Sequence, residues 1–260
     1  MKVTSHVQGT PSWFELSTTD PEAAVEFYGQ LFGWSDDPQP MPEGPAYHMQ
    51  RLEGDAVAAI SPQMPGEVAQ GLPPHWNVYL TVDDVDATTG KVEAAGGSVL
   101  MPAMDVMEVG RMAGIADPTG GAVCLWQAGA HIGAERVGEP GTIAWAELMT
   151  TDPDRAAAFF GDVLGVTSEA SPMPEGEPYT VVKAAGQDVA GIFKIPAEME
   201  GMPPVWSAYF GVEDVDAAVE KAQELGAQVV VPGQDIPEGR FAVLMDRQQV
   251  TFGVYQMTSA

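Results

Sequence analysis

Cysteine is almost missing from this sequence: Cys124 is the only one in 260 residues. No internal disulfide can form, so the fold cannot depend on an oxidising compartment. Basic residues are scarce too. Eleven Lys and Arg face 37 Asp and Glu, giving a formal net charge of −26 and a pI near 4.1. A surface that acidic repels phosphate backbones and anionic lipid, which removes nucleic acid and membranes from the expected partners. No stretch approaches the roughly 20 apolar residues of a membrane span. The opening residues, MKVTSHVQGTPSW, lack the apolar core of a secretion signal, so a cytoplasmic location is expected. No Gly-rich phosphate loop follows a strand, and DPTGG at 117–121 reads as a turn between strands. No Ser–His–Asp or Cys–His arrangement can be assembled from spacing.

What is present is a repeat. Residues 13–33, WFELSTTDPEAAVEFYGQLFG, return at 145–165 as WAELMTTDPDRAAAFFGDVLG. Each copy reads as a strand, a sharp helix start and a short amphipathic helix. Asp20 and Asp152 are placed as N-caps, with Pro21 and Pro153 at the first helical position. Ala24, Phe27, Tyr28 and Leu31 follow at helical spacing, and Gly33 ends the turn. Strands are expected at 47–52 and 56–61, a Pro-, Gly- and Met-rich loop at 62–74, and a strand at 76–82. Asp83 or Asp84 caps a second helix, and strands follow at 98–101, 111–116 and 122–127. The second half repeats the order, and shared phrases fix the alignment. PMPEG occurs at 40–44 and 172–176, and GLPPHW at 71–76 answers GMPPVW at 201–206. The chain therefore divides into residues 10–128, a linker at 129–140 and residues 141–257. Each half holds two strand–helix–three-strand units, an α+β architecture.

The repeated unit, the TDPxxAxxF helix start, the VxDVDA second helix and the GR…DPxG hairpin resemble the glyoxalase/bleomycin-resistance/dioxygenase superfamily, the vicinal oxygen chelate proteins. The tandem arrangement, with WxEL opening each half and PPxW in each middle, looks most like the two-domain actinobacterial members labelled hydroxylase-like. The resemblance implies that βαβββ units pair into curved mixed sheets, with helices on the convex side and a cavity on the concave side. Alternation then assigns faces. Phe14, Leu16, Val78 and Leu80 are expected against the helices. Trp13, Glu15, Asn77, Tyr79, Cys124 and Trp126 are expected in the first cavity. Trp145, Glu147, Ser207, Tyr209, Gly253 and Tyr255 are expected in the second.

The family's metalloenzymes place His, Glu or Gln on the first strand, on the strand before the second helix and near the end of the last strand. Here the resemblance maps those positions to Trp13, Asn77 and Cys124 in the first half. In the second it maps them to Trp145, Ser207 and Gly253. A fourth position falls among 57–60 and 191–193. Indole does not ligate divalent ions, and three or more N, O or S donors are normally needed. No metal and no other cofactor is expected. The four histidines do not alter this: His6 and His131 fall in the lead-in and linker, and His48 and His75, in or beside strands, have counterparts Thr180 and Val205 that cannot ligate.

The remaining chemistry centres on Glu15 and Glu147. Each shares a face with a tryptophan two residues earlier, and a carboxylate beside an indole on a partly dry surface should have a raised pKa. Each is a candidate general base or ligand anchor. Trp13, Trp76, Trp126, Trp145 and Trp206 lie in strands, joined by Tyr79, Tyr209 and Tyr255. Methionines, among them Met41, Met64 and Met173, fall in loops that would rim the cavities. Aromatic walls with thioether rims suit a planar apolar molecule. Arg111 and Arg240 are expected to pair with acidic neighbours.

The leading expectation is a metal-independent binder of an aromatic or polyketide-like metabolite or antibiotic. Its ligand set would be Trp13, Asn77, Tyr79, Trp126, Trp145, Ser207, Tyr209 and Tyr255, and the chain would be a monomer or homodimer. The alternative is a metal-free lyase, isomerase or cyclase with Glu15 or Glu147 as base. A metal-dependent glyoxalase or dioxygenase fits the ligand positions less well.

Overall fold

The structure is a computed structural model that describes residues 1–41, 44–171 and 178–257. The second PMPEG phrase and Met173 fall outside the described residues. The chain begins with β1 (Pro11–Thr18) and α1 (Pro21–Phe32). The Asp20 carboxylate accepts from the Ala23 N–H, Pro21 opens the helix, and Gly33 closes it in the left-handed conformation at φ 77°. Asp152 and Gly165 do the same for the second copy. Such a cap is worth about 1 kcal/mol. Asp84 and Asp214 cap the helices of the other two units.

Three strands follow α1: β2 (Ser35–Gln39), β3 (Tyr47–Leu52) and β4 (Asp55–Pro62). The sequence reading missed β2, a short polar edge strand, and a helical turn, α2 (Pro65–Gln70), in the expected loop. The second unit is β5 (His75–Thr81), α3 (Val85–Val92), β6 (Ser98–Val106), β7 (Gly110–Ala116) and β8 (Ala122–Ala128). The other half repeats this as β9 (Ile143–Thr150), α4 (Pro153–Leu164), β10 (Thr167–Ser171), β11 (Tyr179–Ala184) and β12 (Gln187–Lys194). It continues with β13 (Val205–Gly211), α5 (Val215–Glu224), β14 (Gln228–Ile236), β15 (Gly239–Met245) and β16 (Thr251–Met257).

Each half forms one eight-stranded mixed sheet. The orders are β2-β3-β4-β1-β5-β8-β7-β6 and β10-β11-β12-β9-β13-β16-β15-β14. Units therefore pair within a half, through antiparallel β1–β5 and β9–β13. Parallel β1–β4 and β5–β8 pairs flank the centre of the first sheet, and the second matches it.

The sheets meet back to back on their helix-bearing faces. Phe14, Leu16 and Leu80 are fully buried there, as are Ala208 and Phe210. Phe210 lies edge-on to Phe14 at 5.5 Å and to Trp76 at 5.0 Å. Trp76 and Trp206 thus belong to this core and not to the cavity set, because they have the opposite strand parity to Asn77 and Ser207. Tyr28, wholly buried, donates to Asp246 Oδ2 at 2.9 Å across the halves, and Thr150 donates to Thr119 at 2.6 Å. Arg111 pairs with Asp86 and Asp105, and Arg240 with Asp216 and Asp235.

Candidate functional site

The opposite, concave face of each sheet carries the residues that alternation assigned to it. Register sets Glu15 beside Ala59 and Asn77, Trp13 beside Tyr79, and Tyr79 beside Cys124. In the second sheet Glu147 lies beside Gly191 and Ser207, Trp145 beside Tyr209, and Tyr209 beside Gly253.

A carboxylate at the centre of a sheet must find donors, since an unsatisfied buried charge is costly. Both glutamates find tyrosines. Tyr47 donates to Glu15 Oε2 at 2.8 Å, Ser61 donates to Oε1 at 3.1 Å, and the Trp13 indole N–H donates to the Tyr47 hydroxyl at 3.2 Å. Tyr209 donates to Glu147 Oε2 at 2.8 Å, Tyr179 hydrogen-bonds the same carboxylate, and the Trp145 N–H donates to the Tyr179 hydroxyl at 2.8 Å. Each half thus holds a Trp–Tyr–Glu chain. The sequence reading named Tyr209 but missed Tyr47 and Tyr179. Their equal spacing from Glu15 and Glu147 was the signal that could have found them.

Both glutamates keep partial surface exposure, yet their carboxylates sit among protein groups. Burial pushes the Glu15 pKa up, against the pull of the Tyr47 and Ser61 hydrogen bonds, and nearby Glu67 adds to the rise. Burial likewise raises Glu147, opposed by Tyr179 and Tyr209. Burial pushes the Cys124 thiol to about 12, with Glu15 adding to it, so this thiol is not a thiolate nucleophile at neutral pH.

Two glycines make the second chain possible. A Cβ on Gly191 would overlap the Tyr179 hydroxyl, and a Cβ on Gly253 would overlap the Tyr209 ring. Tyrosines therefore occupy the space that side chains at 191 and 253 would need. The floor of the second face is filled by this packing. Two described recesses, of about 260 and 210 Å³, lie elsewhere, beside α1 and beside His6.

The two faces differ. In the first, Ser17 donates to Glu67 Oε2 at 2.8 Å and His75 Nε2 lies 3.6 Å from Glu67 Oε1, so α2 brings a second carboxylate near Glu15. In the second, Met149 and Val205 stand at the positions of Ser17 and His75, and Phe193 at that of Ser61, all apolar. The linker also covers the first face. His131 stands edge-on to Trp13 at 4.6 Å and lies 5.8 Å from Trp126, whose N–H donates to the His131 carbonyl at 2.9 Å. Burial lowers the His131 pKa to about 4, so its ring is neutral. Trp13 and Trp126 are 3% and 5% exposed. On the second face Trp145, Phe193 and Tyr255 remain half-buried, and the Tyr255 hydroxyl donates to the Glu238 carbonyl at the rim. Residues of the 129–140 linker pack on the first sheet, with Ala134 N–H bonded to the Ser12 carbonyl at 2.7 Å.

The family model for the glyoxalase/bleomycin resistance protein/dioxygenase superfamily matches residues 10–125 and 142–253. The chain belongs to this superfamily. Among its superfamily relatives is a putative glyoxylase, CFP32, of Mycobacterium tuberculosis, 49% identical over 97% of each chain. The anthracycline biosynthesis protein DauV of Streptomyces sp. (strain C5) is 36% identical over 99% of this chain and 97% of that one. Among solved structures, the 2,3-dioxygenase LapB from Pseudomonas sp. KL28 superposes with TM-score 0.68 at 13% identity, covering 98% of this chain and 94% of that one. A Mn(II)-bound glyoxalase from Novosphingobium aromaticivorans gives 0.67 at 16% identity, covering 96% and 82%. At these identities the superposition bears on the fold alone.

Superfamily members that use a metal need a donor set, and the residues here do not fit one. Among the described residues no group of three or more His, Cys, Asp or Glu side chains could hold a metal ion. The positions that the resemblance assigns to metal ligands carry Trp13, Asn77 and Cys124 in one half and Trp145, Ser207 and Gly253 in the other. Superfamily membership supports a small-molecule-binding role. No helix among the described residues is long and apolar enough to cross a membrane.

Proposed function

We propose that this protein binds a planar aromatic or polyketide-like metabolite or antibiotic without a metal ion, with the second concave face as its principal site. The observation that carries the reading is the replacement of ligating side chains by an aromatic floor, with Tyr179 and Tyr209 lying over Gly191 and Gly253. Half-buried Trp145, Phe193 and Tyr255 supply apolar area for a flat ligand, and Ser207 and Glu147 supply polar anchors. On the first face Trp13, Asn77, Tyr79 and Trp126 form the matching set, with the His131 segment as its cover. The relatives named for anthracycline biosynthesis support a ligand of this kind. The single free thiol and acidic surface suit a cytoplasmic monomer or homodimer.

The raised proton affinity of Glu15 and Glu147 favours one other reading, a metal-free lyase, isomerase or cyclase with either as base. Glu15→Gln and Glu147→Gln separate the two. A binder keeps its ligand with modest loss, whereas a catalyst binds and stops turning over. A thermal-shift screen against a metabolite and antibiotic panel identifies the ligand class. Metal analysis of protein purified without chelator should find far less than one ion per chain. Near-stoichiometric metal that survives dialysis overturns the proposal.

A further inference from the structure

The second concave face holds a carboxylate and offers it only neutral partners. Glu147 is met by the hydroxyls of Tyr179 and Tyr209. Lys183, on the same strand as Tyr179, is engaged with Glu169 and Asp188, and Arg240 lies on the helix-bearing side, bound to Asp216 of α5 and to Asp235. The surroundings of Glu147 are aromatic. The Trp145 N–H reaches the Tyr179 hydroxyl, the Tyr179 ring stacks with Phe193 at 6.4 Å, and Tyr209 lies 6.3 Å from Phe241. Trp145, Tyr179, Phe193 and Phe241 all keep partial exposure, so these rings remain reachable.

Ring faces carry negative potential and attract cations. A carboxylate among them adds Coulomb attraction, strengthened where water is partly excluded. The net charge of −26 raises the local concentration of any cation. We propose that this face recognises an organic ammonium ion: an aromatic molecule whose amine or quaternary ammonium group lies against Trp145, Tyr179 and Phe193 near the Glu147 carboxylate. The inference rests on reading this face as a small-molecule site and adds the charge of the ligand. The first face lacks the equivalent arrangement, because Ser61 stands where Phe193 does and the His131 segment covers Trp13 and Trp126.

The test compares two probes of nearly equal shape by titration calorimetry on the full chain: 2-naphthylmethyl-trimethylammonium and neutral 2-naphthalenemethanol. The ammonium probe should bind about tenfold tighter, the scale of a desolvated cation–π contact aided by a carboxylate. Glu147→Gln should erase most of that preference, weakening the ammonium probe far more than the neutral one. The exposed-site substitution Glu220→Gln, which changes net charge equally, should not. Phe193→Leu keeps bulk without a ring and should narrow the gap between the probes, a second readout if Glu147→Gln folds poorly. Equal affinities in the wild type, or a preference untouched by Glu147→Gln, overturns the ammonium assignment while leaving the small-molecule reading in place. Binding of neither probe also overturns it, and the metabolite panel then decides the broader reading on its own.

Discussion

Replacing Gly191 with alanine should unseat Tyr179. Neither Gly191 nor Gly253 has a positive φ, so backbone freedom is not why glycine stands there. Space is the reason: a Cβ at 191 falls on the Tyr179 hydroxyl and within 2.9 Å of its Cε1 atom. The ring must swing away, and with it go the hydrogen bond to Glu147 and the one accepted from Trp145. A bond to a charged acceptor is worth about 1.5–3 kcal/mol. Residual crowding adds about 1–3 kcal/mol. A total of about 2.5–6 kcal/mol would lower the melting midpoint by roughly 5–24 °C for a chain of this length. The assay is thermal unfolding of Gly191→Ala, Tyr179→Leu and the double variant. The leucine removes the clash and the bond together, so adding Gly191→Ala to Tyr179→Leu should cost little, a strongly non-additive cycle. If Gly191→Ala melts with the wild type, or the two costs simply add, the tyrosine does not depend on that glycine.

Three further outcomes are expected. Burial raises the folded-state pKa of Glu147, so its contribution is fully present below the unfolded value near 4.5 and fades as pH rises through the folded value. Glu147→Gln should therefore gain on the wild type in melting midpoint between pH 4 and pH 7, and a gain that shrinks over that range contradicts the assigned direction. Tyr28→Phe leaves buried Asp246 one donor short and should cost about 1–3 kcal/mol in urea unfolding; an unchanged midpoint would mean that bond contributes nothing across the halves. His131→Ala should let acrylamide quench tryptophan emission more strongly, because Trp13 and Trp126 lose their cover. Unaltered quenching would show that the linker does not shield them.

Much of this was legible from residues. Asp–Pro at the starts of α1 and α4, Gly at their ends and the strand parity of Trp13, Glu15, Trp145 and Glu147 are local signals, and local capping and pleat geometry decide them. The strand Ser35–Gln39 was not legible, because SDDPQ lies at a sheet edge with no buried face to impose alternation. The Tyr47 and Tyr179 partners were hidden for a different reason. Their contacts cross strands, and side-chain reach over a glycine is a property of packing that periodicity does not encode. The role of His131 was hidden because linker residues take their position from the sheet beneath them, with no pattern of their own.

The Tyr28–Asp246 and Thr150–Thr119 bonds and the Phe210 cluster join the two sheets through their backs. The peptide connector is thus not what keeps the halves together. A single proteolytic nick near residue 138 should yield two fragments that co-elute as one particle. Fragments comprising 1–137 and 141–260, produced as separate polypeptides, should find each other and reconstitute it. The two halves pack as the members of a dimer would while sharing one chain, and one of them covers its face while the other leaves it open.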